Sequence, residues 1–129
     1  MAMTVEKLTE NLFRSYEQIA ANTTITFACT PGVPFRLRGI LFHASVAPGG
    51  ANVLTLSVDS GLGATYDVVL DTQDMNGLTD YTFPRNASGC LTEPLFLDGT
   101  DAIDLVMASV ITTGITTLQV LWSPAQEGA

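Results

Sequence analysis

The run Phe35-Arg36-Leu37-Arg38-Gly39-Ile40-Leu41-Phe42-His43-Ala44-Ser45-Val46 changes its side-chain phase part-way along. Phe35 and Leu37 alternate with Arg36 and Arg38. Beyond Gly39 the apolar positions are Ile40, Phe42, Ala44 and Val46. A period of two belongs to a strand with one buried face. A glycine where the parity switches predicts a bulge, or a bend between two sheets.

The same writing continues on both sides. Residues 23–28 are rich in Thr and Ile. Leu54, Leu56 and Val58 alternate with Thr55, Ser57 and Asp59, and Tyr66, Val68 and Leu70 alternate with Asp67, Val69 and Asp71. Shorter runs follow at Tyr81 and Phe83 and at residues 95–97. Ile103, Leu105 and Met107 share a phase, and Leu118, Val120 and Trp122 close the set. Turn residues separate the runs: Pro31-Gly32, Pro48-Gly49-Gly50, Ser60-Gly61-Leu62-Gly63, Asn76-Gly77, Asp98-Gly99 and Thr113-Gly114. Seven to nine short strands in residues 23–122 predict an all-β domain, a β-sandwich. An eight-strand count favours a jelly-roll-like arrangement. The immunoglobulin pattern fails because the single tryptophan, Trp122, follows both Cys29 and Cys90. The expected core contains Leu54, Leu56, Val58, Val68, Leu70, Leu105, Leu118 and Val120. Residues 123–129 read as a flexible tail.

Residues 1–22 differ in kind. Val5, Leu8, Leu12, Tyr16 and Ile19 recur at three- and four-residue steps, which fits an amphipathic helix. The rival reading is an extended arm that becomes a strand near residues 16–20. On either reading the segment is an N-terminal arm whose apolar side chains Val5, Leu8, Leu12, Phe13, Tyr16 and Ile19 are candidates for contact with a partner.

Composition sets outer bounds. The chain has 129 residues, one domain at roughly 100–200 residues per domain. Hydrophobic residues make up 47%, too many for a disordered chain, and charged residues only 14%. Seventeen threonines supply much of the polarity. Five Lys and Arg against thirteen Asp and Glu give a net charge of −8. That excludes non-specific nucleic-acid binding, which needs a basic surface, and docking on anionic lipid. No run reaches the roughly 18 apolar residues of a membrane-spanning helix. The first ten residues lack the basic and apolar regions of a secretory leader, so synthesis in a cytoplasm is the expectation.

The sequence carries little that reads as chemistry. A hydrolase would have to be built on His43, the single histidine, yet no serine stands in a G-x-S-x-G elbow. Gly61-Leu62-Gly63 starts like a dinucleotide loop, but Tyr66 holds the third glycine position and a strand follows. Asp98, Asp101 and Asp104, with Asp67, Asp71, Asp74 and Asp80, could contribute oxygens to calcium. The plainer reading is aspartate at β-turns, where it satisfies backbone donors. Cys29 and Cys90 lack ligand spacing and read as buried thiols. No catalytic residue, metal ligand or cofactor is therefore assigned. The rare arginines Arg36, Arg38 and Arg85 either neutralise local carboxylates or meet a partner, since arginine is enriched at interfaces.

Pro34-Phe35-Arg36-Leu37-Arg38-Gly39-Ile40, residues 54–63, Tyr66-Asp67-Val68-Val69-Leu70 and Asp74-Met75-Asn76-Gly77 together resemble small β-rich virion proteins of tailed bacteriophages, with the capsid decoration or cement proteins as the nearest class. The resemblance spans residues 23–122 and is one of pattern. It implies a non-enzymatic subunit on the capsid surface of a virion, commonly a homotrimer, that holds the major capsid protein against internal DNA pressure. Two other readings stand beside it. One is a tail or baseplate accessory subunit, the other a carbohydrate-binding β-sandwich module.

Overall fold

The computed structural model describes residues 4–9, 11–21, 23–83, 95–96, 99–111 and 114–125. Among these residues ten strands lie in two antiparallel sheets. They are β1 (Thr4–Thr9), β2 (Leu12–Ile19), β3 (Thr23–Cys29), β4 (Phe35–Ala44), β5 (Val53–Asp59), β6 (Val68–Asp74), β7 (Asp80–Phe83), β8 (Leu95–Phe96), β9 (Ala102–Ile111) and β10 (Thr116–Pro124). The larger sheet runs β1-β2-β10-β4-β7, with β8 also on β4. The smaller runs β3-β9-β5-β6.

The pairings are nested. β5 pairs with β6, β4 with β7, β3 with β9 and β2 with β10. This is one long hairpin with its tip between β5 and β6, rolled so that successive pairs fall alternately in the two sheets. That connectivity is a jelly roll, and the expected all-β sandwich is the fold observed.

The inner faces come from the alternation read in the sequence. Leu54, Leu56, Leu105, Leu118 and Val120 are almost completely buried, together with Phe27, Phe35, Leu37 and Ile40. In β4 both apolar phases point inward. Leu121 lies opposite Gly39 and Trp122 opposite Leu37, so Arg38 is the extra residue of a bulge. The bulge reverses the parity, and Ile40 and Phe42 then face the core as Phe35 and Leu37 do. Glycine suits the position because a Cβ on Gly39 would stand 3.3 Å from the Phe83 carbonyl oxygen.

Two expectations are corrected. The N-terminal segment is not a helix. It forms β1 and β2, the extended alternative, and β2 lies against β10 from Thr116↔Ile19 to Trp122↔Phe13. The three- and four-residue spacing is helical, but pairing with the edge of β10 draws the segment into the sheet, with Ser15 on the inward parity. The second correction is Val68, which is 54% exposed, while Leu70 is partly buried. Leu56 pairs with Asp71 and Ser57 with Val69, which makes Leu70 an extra residue on β6. The bulge turns Asp71 inward, where its Oδ2 accepts a 2.6 Å hydrogen bond from the Tyr81 hydroxyl. At the other end of the sandwich β10 extends to Pro124, and the Ala125 amide donates to the Pro34 carbonyl.

Candidate partner-binding face

Strand alternation divides the six apolar residues of the N-terminal segment. Phe13 and Ile19 turn inward. Phe13 stacks on Trp122 with ring centroids 4.7 Å apart and planes 11° from parallel, and Ile19 belongs to the core. Between them Ser15 is fully buried, and its hydroxyl accepts from the Trp122 indole at 2.9 Å. Leu12 and Tyr16 are half-buried on the opposite parity of β2. β2 is thus part of the sandwich.

β1 is different. Val5 pairs with Ser15, so it faces the core side of the sheet, yet it is 51% exposed. Among the described residues β2 is the one strand that pairs with β1. Leu8 lies at a register shift between Lys7 and Thr9 and is 40% exposed.

The outer face of the larger sheet centres on Arg14. Its guanidinium pairs with Glu6 of β1, donates to Gln119 Oε1 at 3.3 Å and lies over the Tyr16 ring, 5.2 Å from the centroid. These contacts hold β1, β2 and β10 in register from the solvent side. Beside them runs a groove of about 610 Å³, lined by Thr4, Arg14, Tyr16, Gln18, Thr117 and Gln119 among others. Arg38 is exposed and Arg36 half-buried on β4, and both have interaction partners. Arg85 lies outside the described residues. His43 is on the same outer face, and its Nδ1 meets Asp80 Oδ1 of β7 at 2.5 Å. This is a cross-strand pair at the surface.

The acidic residues mostly bind backbone. Asp67 accepts from the Ser60 amide and Asp101 from the Gly61 amide, both at 2.8 Å. Asp74 accepts from Asn76 and Asn52, which holds its carboxyl below the usual range. Burial, then the charges of Asp59 and Asp67, push the Asp104 carboxyl up. Asp98 and Cys90 lie outside the described residues. Burial raises the Cys29 thiol to about 11 despite a hydrogen bond with Ser15, so its reactive thiolate is scarce at neutral pH.

Charge is unevenly placed. The described cations Lys7, Arg14, Arg36 and Arg38 all belong to the larger sheet. The smaller sheet and its loops hold Asp59, Asp67, Asp74, Asp101 and Asp104, and no Lys or Arg among the described residues. The sequence concealed this polarity because it arises from which strands share a sheet. No family model matches the chain, and no curated protein is significantly similar to it.

Proposed function

We propose that the protein is a structural virion subunit, a capsid decoration or cement protein that binds the major capsid protein on the outer shell as a homotrimer. The observation that supports this reading is the exposed core-side face of β1. Val5 is half exposed on the core side of β1, whereas Ser15 and Ile19 of β2 and Leu118, Val120 and Trp122 of β10 are buried, and Leu8 adjoins it. Apolar surface held on a strand, outside the core, suits a subunit that is completed by a neighbour. The resemblance in residues 23–122 supplies the identity of that neighbour. The test is binding of the full chain to purified capsids, followed by imaging of the added density. Wild type is expected on the shell surface as trimers. A Val5→Ser, Leu8→Ser double variant should bind about tenfold more weakly or worse, since each side chain is worth on the order of 1 kcal/mol when buried. A chain that neither co-purifies with virions nor binds shells ends the proposal.

The groove beside Arg14 favours a second reading, a carbohydrate-binding module. Tyr16, Gln18 and Gln119 give it the ring and amides that suit sugar hydroxyls. Glycan binding lost in Gln119→Ala would favour it over the first.

A further inference from the structure

Asn76 is the one asparagine of the chain that precedes a glycine. Asn11 is followed by Leu12, Asn22 by Thr23, Asn52 by Val53 and Asn86 by Ala87. The backbone nitrogen after an asparagine can attack the side-chain carboxamide carbon and close a five-membered ring. A Cβ on the attacking residue obstructs that approach, and glycine has none. Asn76 and Gly77 are both exposed, and a Cβ built on Gly77 would meet nothing within 4 Å. Water and base therefore reach the pair.

The fold controls when the nitrogen is available. The Leu78 amide donates to the Met75 carbonyl at 2.9 Å, which closes a four-residue turn between β6 and β7. Asn76 and Gly77 are its central residues, and Gly77 has φ +75°, the conformation that favours glycine there. The Gly77 amide itself donates to the Pro48 carbonyl at 2.9 Å, in the loop between β4 and β5. Two further bonds join the turn to that loop. The Met75 amide donates to the Asn52 carbonyl at 2.8 Å, and the Asn52 amide to Asp74 Oδ1 at 3.1 Å. The same carboxylate oxygen accepts from the Asn76 amide at 3.0 Å. Met75 is fully buried, so the turn is anchored on its core side, while Asn76 and Gly77 project into solvent. An amide held in a hydrogen bond loses its proton to solvent base only when the segment opens.

We propose that Asn76 is a site of spontaneous deamidation, and that the hydrogen bond from Gly77 to Pro48 gates it, so that the turn is modified only when it detaches from the β4–β5 loop. In the first step the Gly77 amide gives its proton to solvent base and its nitrogen bonds to the Asn76 Cγ. The Cγ–Nδ2 bond breaks, and that nitrogen takes a proton from water and leaves as ammonia. Water then opens the ring. Cleavage of the bond from Cγ to the Gly77 nitrogen gives aspartate, and cleavage at the main-chain carbonyl gives iso-aspartate. Both products place a new carboxylate beside Asp74. Iso-aspartate also lengthens the main chain by one carbon within the turn, so the Gly77 amide no longer lines up with Pro48. The inference concerns the chain itself and is independent of any virion role.

The test incubates the purified full chain in warm, mildly alkaline buffer, folded or in concentrated guanidinium. Peptide mass spectrometry follows each asparagine, and chromatography separates aspartate from iso-aspartate. In guanidinium Asn76 should react before the other four asparagines. In the folded protein it should again be first, but about tenfold or more slowly, the factor that two ordinary backbone hydrogen bonds supply. Sub-denaturing guanidinium should raise amide exchange at Gly77 and deamidation at Asn76 in parallel. Asp74→Ala, which removes the acceptor shared by Asn52 and Asn76, should speed the reaction in the folded protein and leave the rate in guanidinium nearly unchanged. Asn76→Gln would need a six-membered ring, and its position should release no ammonia over the same period. Equal rates in folded and unfolded protein overturn the proposal. So does another asparagine reacting first in the folded state, modification only where the whole chain unfolds, or an Asp74→Ala variant no faster than wild type. None of these results bears on whether the protein attaches to virions.

Discussion

The indole Nε1 of Trp122 donates a 2.9 Å hydrogen bond to the hydroxyl of Ser15, and both residues are buried. Ser15 also hydrogen-bonds Cys29 of the opposite sheet. One small polar side chain thus links β2, β10 and β3. Ser15→Ala would leave the indole N–H without its acceptor inside the sandwich, at a cost of about 1–3 kcal/mol. Urea unfolding should report a lower midpoint with an unchanged slope. An unchanged midpoint would show that another acceptor replaces Ser15.

Asp71 and Tyr81 make the corresponding link between the sheets near β6 and β7. Each single variant, Asp71→Asn and Tyr81→Phe, should destabilise. The double variant should lose less than the sum, with a coupling on the order of 1–2 kcal/mol. Additive losses would mean that the two groups contribute through other partners.

Gly39→Ala probes the bulge. The added Cβ would crowd the Phe83 carbonyl at 3.3 Å, and relief requires β4 and β7 to separate. A loss of about 1–3 kcal/mol is expected, as for other overpacked positions. A neutral substitution, measured by thermal unfolding, would show that the bulge tolerates a side chain.

Gly39 also shows what the sequence could reveal. Its parity switch was legible because the apolar residues on both sides record which face is buried. The bulge on β6 was not, since Val68, Val69 and Leu70 are all apolar and any of them could have been the inward residue. Only the register against β5 identifies Asp71 as the one turned in. The N-terminal segment was ambiguous for a related reason. Phe13, Tyr16 and Ile19 satisfy helical spacing, while the inward phase of β2 contains Ser15, a polar residue whose burial depends on Trp122 more than one hundred positions away. The arginines pointed to a partner surface, yet the acidic character of the smaller sheet and the exposed tip at Leu62 and Tyr66 depend on pairings that local pattern does not encode.

Asp74 and Asp104 should respond to pH with opposite signs. The folded pKa of Asp74 is depressed by the Asn76 and Asn52 amides. Its contribution to stability is present above the unfolded value, about 3.9, and is lost as pH falls through the folded pKa. Asp104 has a raised folded pKa, from burial and then from Asp59 and Asp67, so its charge opposes folding at neutral pH and protonation relieves the penalty. Asp104→Asn should therefore raise the melting temperature at pH 7, and Asp74→Asn should lower it. Both differences should shrink toward zero in acid, where the wild-type carboxyls are protonated. A pH-independent difference in either variant would assign the effect to packing.

The boundary between detachable strand and core lies between β1 and β2, and two truncations locate it. Removing residues 1–9 takes away Val5, Lys7 and Leu8, all exposed, together with the Glu6–Arg14 ion pair at the surface. Exposed ion pairs contribute about 0–1 kcal/mol, and β1 covers no fully buried side chain of its own. The shortened protein should fold with a nearly unchanged melting temperature. Removing residues 1–21 also deletes Phe13 and Ile19, worth roughly 1.5–3 kcal/mol each when fully buried, and the Ser15 acceptor of Trp122. It also uncovers one edge of β10 from Thr116 to Trp122. Against a total stability of about 5–15 kcal/mol, that loss should unfold the domain or leave it molten. Circular dichroism and near-ultraviolet Trp122 signals distinguish the cases. If the longer truncation remains native, β2 is an accessory strand and residues 1–21 act as one arm. If the shorter one unfolds, β1 supplies stability that its exposure conceals.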